Sequence, residues 1–321
     1  MNDELLSIII PVFNGELCIE KCVKSIEKQK YSNYELILIN DGSTDNTFEI
    51  CERLAQKNKK IKIFNKKNTG VSDTRNLGIN EAKGKYIQFV DADDEIYPTL
   101  SSKLIDLIKK EQADLGICGY TVIKNKKEIN KVNENKNCNN YDLDFLYEKY
   151  LLHPIWNKVY IKEKISNMFD KRITLGEDLL FNINYLKYNS KIAFLPENLY
   201  RYNVTTTKTL SSKYSENLIF VNKLIYTKIN ELYKQYYKTK YNKDSINKIF
   251  YKNIIHNINN ISINKKLTNK EKRKLIKENL NSLKELHDSK NIFIRYEMIE
   301  IIIMFYNLKE IIKQIRKGKI K

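Results

Sequence analysis

Only 9 glycines and 4 prolines punctuate the 321 residues, too few for the turn density of an all-β sandwich or barrel. The 5 cysteines (Cys18, Cys22, Cys51, Cys118 and Cys138) contain no C-x-x-C pair, and with only 3 histidines they make no zinc-type grouping. Their odd number points to a reduced, cytoplasmic setting rather than a disulfide framework. No apolar run reaches the roughly 20 residues a spanning helix needs. The longest, around 301–306, is short and follows Glu297 and Glu300. A signal peptide is not expected, because Asp3 and Glu4 stand where a basic n-region belongs. No G-x-G-x-x-G follows the first predicted strand, which argues against a dinucleotide-binding site. There is no internal repeat.

What is present is ample core material and a lopsided charge. Hydrophobic residues make up 42%, with 22 Tyr and 12 Phe, so the chain is not disordered. The formal net charge is +18, yet residues 1–110 balance 17 Lys+Arg against 17 Asp+Glu, while 211–321 hold 25 against 10. A uniform compositional bias would not leave the first third neutral. The C-terminal third is therefore basic in its own right, and an anionic surface suits it as a partner.

Strand and helix alternate from the start. Residues 5–12 form a continuously apolar, buried parallel strand whose pairing Pro11 should end, with Asn14-Gly15 making the turn. A helical period over 16–30, a strand over 34–39 and a helix capped by Ser43 or Thr44 come next. A strand over 61–64, a helix over 71–82, a strand over 86–90, an amphipathic stretch over 100–110 and a strand over 113–120 continue the pattern. Short links of this kind predict a mostly parallel sheet with right-handed crossovers. Residues 124–140 read as an exposed hairpin or loop, 142–152 as helical, and the chain from about 214 as helical.

One stretch carries most of the chemistry. The apolar run Tyr86–Val90 ends in Asp91-Ala92-Asp93-Asp94-Glu95, four acids in five residues. A buried strand cannot continue through unpaired carboxylates, so they belong just past its C-terminal end, where open α/β sheets place their ligand crevice. Clustered hard oxygens there suit Mg²⁺ or Mn²⁺ with a phosphorylated ligand. An acidic loop or a helix cap is the alternative.

Five segments occur in order: Ile9 to Asn14, Asn40 to Asp45, Gly70 to Gly78, Phe89 to Asp94, and Gly176-Glu177-Asp178. Together they resemble the family 2 glycosyltransferases, inverting enzymes with a GT-A, Rossmann-like fold that use nucleotide sugars. The resemblance is dense over 5–120, thinner to about 205 and absent beyond. It implies a metal-dependent transferase of hexosyl or N-acetylhexosaminyl type, with a nucleoside-diphosphate donor of the UDP-sugar kind and a glycan or lipid-linked acceptor in cell-surface polysaccharide synthesis. It also implies roles. Asp41 contacts uracil; Pro11, Val12, Phe13 and Asn14 wall the base; Arg75 offers a planar fork to phosphate oxygens. Asp91 and Ala92 of the D-x-D contact the donor, and Asp93 holds Mn²⁺ or Mg²⁺.

Asp178 is the candidate general base, because inversion needs a carboxylate on the face opposite the leaving group; Glu177 orients its loop. Both could instead simply favour a helix N-terminus. Trp156 and Lys158 line the acceptor pocket or belong to the core, and Arg201 matches a basic residue near the diphosphate. Asp94 is open between ligand, supporting partner and cap. Two departures stand out: Asn40 replaces an Asp of many relatives, and Asn203 to Thr207 replace a frequent His and Ser.

The resulting expectation is a nucleotide-sugar-binding half over 1–120, an acceptor half over 121–210 and a basic helical extension over 211–321. Residues 292–321 place apolar residues at near-helical spacing and finish in a basic end, which predicts either peripheral contact with the anionic inner face of the cell membrane or a helix packed on its own domain. A nucleotidyltransferase would need a Gly-rich phosphate loop where Pro11 to Asn14 stand. A nucleic-acid-binding protein would line its site with the positive excess, and the motif-bearing third is neutral.

Overall fold

The structure, a computed structural model, describes residues 4–124, 127–130, 142–189, 191–204, 217–238, 243–264 and 266–284. The apolar runs of the first third become β1 (Leu6–Val12), β2 (Tyr34–Asp41), β3 (Ile61–Lys66) and β4 (Tyr86–Phe89), all parallel in the order β3-β2-β1-β4. Helices α1 (Ile19–Glu27), α2 (Thr47–Lys57) and α3 (Val71–Glu81) connect them. The chain moves outward from β1 to β3 and then returns to β4 on the other side of β1. With right-handed crossovers, this puts α3 on the opposite sheet face from α1 and α2 and makes the β1/β4 boundary a topological switch point.

Pro11 does not end the strand. Pairing with β2 runs through Pro11↔Ile39 to Val12↔Asn40. Ile9 O accepts from Val90 N on the β4 side, so Pro11, two residues on, turns its missing N–H to that same side, where the β4 ladder has already finished. The expected caps of α2 also shift. Its N-cap is Asn46, and Thr47 N donates to Asp45 Oδ1 (3.1 Å), while Ser43 and Thr44 bond elsewhere.

The second half adds β5 (Glu95–Ile96), α4 (Leu100–Glu111), β6 (Leu115–Lys124), β7 (Lys127–Asn130), α5 (Leu143–Glu148), β8 (Lys158–Ile161), α6 (Glu177–Tyr188) and β9 (Ile192–Val204). The sheet continues β4-β8-β6-β9-β5, with β4–β8, β8–β6 and β9–β5 antiparallel and β6–β9 parallel. Part of the expected hairpin is present as β7, antiparallel to β6; residues 131–141 lie outside the described residues. β8 escaped sequence reading because its four residues begin with a lysine and follow a proline-containing break.

The chain divides into two compact units, Met1–Ser215 with Leu224–Tyr241, and Glu216–Lys223 with Asn242–Lys321. In the first, α7 (Leu218–Tyr237), from Leu224 onward, joins the α/β body, with Tyr233 Oη donating to Leu143 O (3.3 Å). In the second, α8 (Asp244–Ile263) packs on α9 (Asn269–Lys284). α8 buries Ile246, Ile249, Phe250, Ile254, Ile258 and Ile261 at helical spacing. Thr268 and Glu271 form a capping box at the start of α9. The expected helix over 292–321 falls outside the described residues.

Candidate active site

The site gathers at the carboxyl ends of β1, β2 and β4. After β1, Asn14 takes a left-handed φ of 50°, and its Oδ1 accepts from Thr44 N (2.9 Å) while its own N donates to Ser43 Oγ (2.9 Å). Gly15 N donates to Thr47 Oγ1 (2.7 Å). These bonds stitch the loop after β1 to the loop after β2. Val12 is buried, but Phe13 beside it is 51% exposed, a large ring kept out of the core at the mouth of the crevice.

Asp41, at the end of β2, is buried. Its Oδ1 accepts from Thr69 N (2.9 Å) and from Lys66, and its Oδ2 accepts from Gly70 N (3.0 Å). It therefore holds the loop entering α3. Asn40 pairs across to Asn65 (Nδ2 to Oδ1, 2.8 Å) and accepts from Ser43 Oγ (2.5 Å). An amide does here what one carboxylate could not, donating to β3 and accepting from the following loop at once.

The acids after β4 divide by environment. Asp94 is 1% exposed and accepts from Tyr200 Oη (2.8 Å) and Asn203 N (2.7 Å). Burial, with the nearby Asp91 and Asp93, raises its carboxyl well above the usual range. It fastens the acidic loop to β9, and Asn203 Nδ2 adds a bond to Asp93 O (2.8 Å). Asp93 is exposed at the rim, and among the described residues its carboxylate has no side-chain hydrogen-bond or ion-pair partner, only its own backbone N–H. Partial desolvation in the cleft, with Asp91's charge adding, pushes it up to about 6. Among the described residues no group of three His, Cys, Asp or Glu is arranged to enclose a metal. A single unpaired carboxylate at an open crevice matches a Mg²⁺-type ion that takes its remaining ligands from phosphates and water.

Arg75, on α3, is 4% exposed. Its Nη1 donates to Asp178 Oδ1 (2.7 Å) and Glu177 Oε1 (3.3 Å), and its Nη2 donates to Asp91 Oδ1 (3.1 Å). Gly176, at φ 86°, turns the chain into α6 so that Glu177 and Asp178 form its first turn. Two contacts fix α3 against this distant segment. Asn76 exchanges bonds with Phe169 in both directions (2.9 and 2.8 Å), and Ser72 Oγ donates to Ile173 O (3.4 Å). Phe169 stacks on Phe181 at 4.1 Å, and both meet Phe89 edge-on, giving an aromatic floor. Burial pushes the Asp178 carboxyl up to about 7 even with Arg75 beside it, and burial raises Glu177 as well.

The structure thus brings Asp91, Arg75, Glu177 and Asp178 together through direct bonds. It places other expected residues differently. Trp156 is buried, stacked on Tyr200 (4.2 Å) and Tyr202 (5.4 Å) and edge-on to Tyr120 (4.8 Å). Lys158 is fully buried, and its Nζ donates to Leu151 O (2.7 Å), Asn157 Oδ1 (2.8 Å) and Pro154 O. Burial pulls its ammonium pKa down, although three acceptors call for all three N–H donors. Arg201 lies on the β9 face opposite Tyr200 and Tyr202. It pairs with Glu128 (3.3 Å) and covers the Tyr97 ring. Tyr200, Phe169 and Asn182 were not singled out from sequence, and Asn203 was noted only as a departure from the family pattern. Asn182 ties α6 to Leu152 O (2.7 Å) and accepts from Tyr160 Oη (2.5 Å). The period-two placement of Tyr200 and Tyr202 was the one readable signal.

Comparison with known proteins agrees with this layout. The chain is 32% identical over 209 residues to EpsJ, an uncharacterised glycosyltransferase of Bacillus subtilis, covering 62% of this chain and 60% of that one. It is 30% identical over 218 residues to glycosyltransferase GlyA of Streptococcus pneumoniae, covering 63% of this chain and 31% of that one. The chain therefore spans less than two thirds of the length of these relatives. The fold matches the crystal structure of S. aureus TarS 1–349 in complex with UDP-GlcNAc, with a TM-score of 0.67 and 20% identity over 87% of this chain and 80% of that one. This is the GT-A arrangement, with helices following it. The model of glycosyl transferase family 2 matches residues 7–172, and the chain belongs to that family.

Proposed function

We propose that this chain is an inverting glycosyltransferase that moves a sugar, of hexosyl or N-acetylhexosaminyl type, from a nucleoside-diphosphate donor to a glycan or lipid-linked acceptor. The observation carrying this reading is that Arg75 bonds both Asp91 and Asp178, from segments 87 positions apart, close to the exposed Asp93 at the switch point. The UDP-GlcNAc bound by TarS supports a uridine nucleotide sugar as donor. Exposed Phe13 offers a flat face to the base, and the remaining lone pair of Asp41 an acceptor to its edge.

In transfer, the acceptor hydroxyl oxygen bonds to the anomeric carbon as the bond from that carbon to the diphosphate oxygen breaks. The electron pair leaves on the nucleoside diphosphate, and the hydroxyl proton goes to Asp178. Asp178, partly desolvated at the start of α6, has a basicity suited to that step. Asp93 would hold Mn²⁺ or Mg²⁺, whose charge, when bound, stabilises the departing diphosphate. Trp156, through its stack with half-buried Tyr202, supports one wall of the acceptor side rather than forming it.

No described helix is long and apolar enough to cross a membrane. Exposed Lys270, Arg273, Lys274 and Lys277 share one side of α9. Together with the basic end of the chain, that face supports peripheral binding to an anionic leaflet, which would present a lipid-linked acceptor.

A donor screen with Mn²⁺ or Mg²⁺, following nucleoside diphosphate release, tests the reading. Asp93→Ala should abolish metal-dependent turnover. Asp178→Asn should keep donor binding and stop transfer; near-normal transfer by that variant would remove Asp178 as the base.

A further inference from the structure

The guanidinium of Arg75 commits three of its five N–H donors to carboxylates, and the side chain is buried, so little of it faces a diphosphate. Its Nη1 is occupied by Asp178 and Glu177 and its Nη2 by Asp91. One face lies over the Phe169 ring, 5.5 Å from its centroid. Among the described residues the buried Nε has no partner, and Nη2 makes one bond. The helix carrying Arg75 is itself held to the acceptor-side segment by the reciprocal Asn76–Phe169 pair. One buried cation therefore joins carboxylates from the two halves of the site.

We infer that Arg75 is a positioning residue for the acceptor-side carboxylate rather than a ligand of the diphosphate, its planar fork fixing Asp178 against Asp91. Its meaning for catalysis rests on Asp178 being the base; the side-chain coupling stands without that. The chemistry needs an arginine. A lysine carries the charge as a single point and cannot bond two carboxylates on separate nitrogens in one plane. The groups facing Asp178 are Arg75 from α3, Asp91 from the loop after β4, Glu177 on its own helix, and Lys158 and Tyr160 from β8. Arg75 is the one cation bonded to it directly. Removing that cation leaves three carboxylates in a poorly hydrated space, so Asp178 should hold its proton to higher pH.

The test uses the full chain and Arg75→Lys, Arg75→Gln and Glu177→Gln. The Asp178 side chain is 23% exposed, enough for carbodiimide-driven amine labelling followed against pH by peptide mass spectrometry. UDP binding with Mn²⁺ is measured by calorimetry, and turnover with a UDP-sugar. Arg75→Gln, which removes the charge, should raise the Asp178 labelling midpoint by about one pH unit or more, and Arg75→Lys, which keeps the charge but loses the fork, should raise it by less. They should lower kcat by about tenfold or more while UDP affinity changes by less than about threefold. Glu177→Gln, which preserves shape and removes a like charge, should lower the midpoint and decides the matter should the Arg75 variants not fold. An Asp178 midpoint unmoved in Arg75→Gln, or a loss of UDP affinity of about tenfold or more with kcat preserved, overturns the inference. A wild-type chain that neither binds UDP nor turns over a nucleotide sugar overturns the functional reading instead, and the labelling midpoints still decide the coupling.

Discussion

Adjacent carboxylates in this chain differ because their surroundings differ. Asp93 and Asp94 are neighbours, yet one faces solvent with no side-chain partner among the described residues and the other is sealed beneath Tyr200. Asp94→Ala leaves a buried tyrosine hydroxyl and the Asn203 N–H without their acceptor, which should cost about 2 kcal/mol, read as a lower urea midpoint at unchanged slope. Asp94→Asn should cost less, because its amide oxygen still accepts. For Asp178, held up to about 7 by burial, turnover should climb with pH through that value as the base ionises. Stability takes the opposite sign. The folded carboxyl keeps its proton above its ordinary value of 3.8, so ionising it costs stability as pH rises. Asp178→Asn should therefore melt higher than the parent above about pH 7, and equal melting temperatures across pH would contradict the shift.

At the scale of elements, α3 is the most constrained. A Cβ on Gly78 would sit 2.4 Å from Ile9 Cγ2 and 3.0 Å from Ile39 Cδ1, so the helix lies directly against β1 and β2. Gly78→Ala should cost about 1–3 kcal/mol by overpacking and should lower turnover with it, because the same helix presents Arg75. The segments feeding α3 were readable from their residues, since apolar runs and a helical period mark both strands and helix. The role of Asn76 was not. Its two bonds reach Phe169, 93 positions away, and no local pattern encodes such a pairing. β9 was hidden for a related reason: its polar and aromatic alternation acquires meaning only once β6 lies beside it in register.

At the scale of the whole molecule, charge is segregated. The neutral first third carries the expected donor-binding residues and the positive excess lies mainly in the C-terminal third. Flotation with anionic vesicles should carry the full chain, weaken as salt rises, and weaken further when residues 292–321 are removed. Equal binding by both forms would exclude that segment as the anchor. The buried pair Asn257 Nδ2 to Asn279 Oδ1 (2.8 Å) between α8 and α9 leaves Asn257 Oδ1 unsatisfied. Replacing both by leucine should leave stability unchanged or raise the thermal midpoint of the full chain, since both partners of a buried polar pair go together.

The alternation of strand and helix in the first half, the acidic turn after β4 and the family's motifs follow from the residues themselves, because local apolar runs and short links mark each element. Partnership does not follow from them. Arg75 meets Asp91 and Asp178, Asp94 is taken by Tyr200, and Lys158 is turned inward onto carbonyls. Each of these depends on which distant segment folding brings within about 3 Å, the range at which one donor and one acceptor pair to the exclusion of others. A charged side chain's type limits the bonds it can make. Only the packed sheet and its helices select the one it does make.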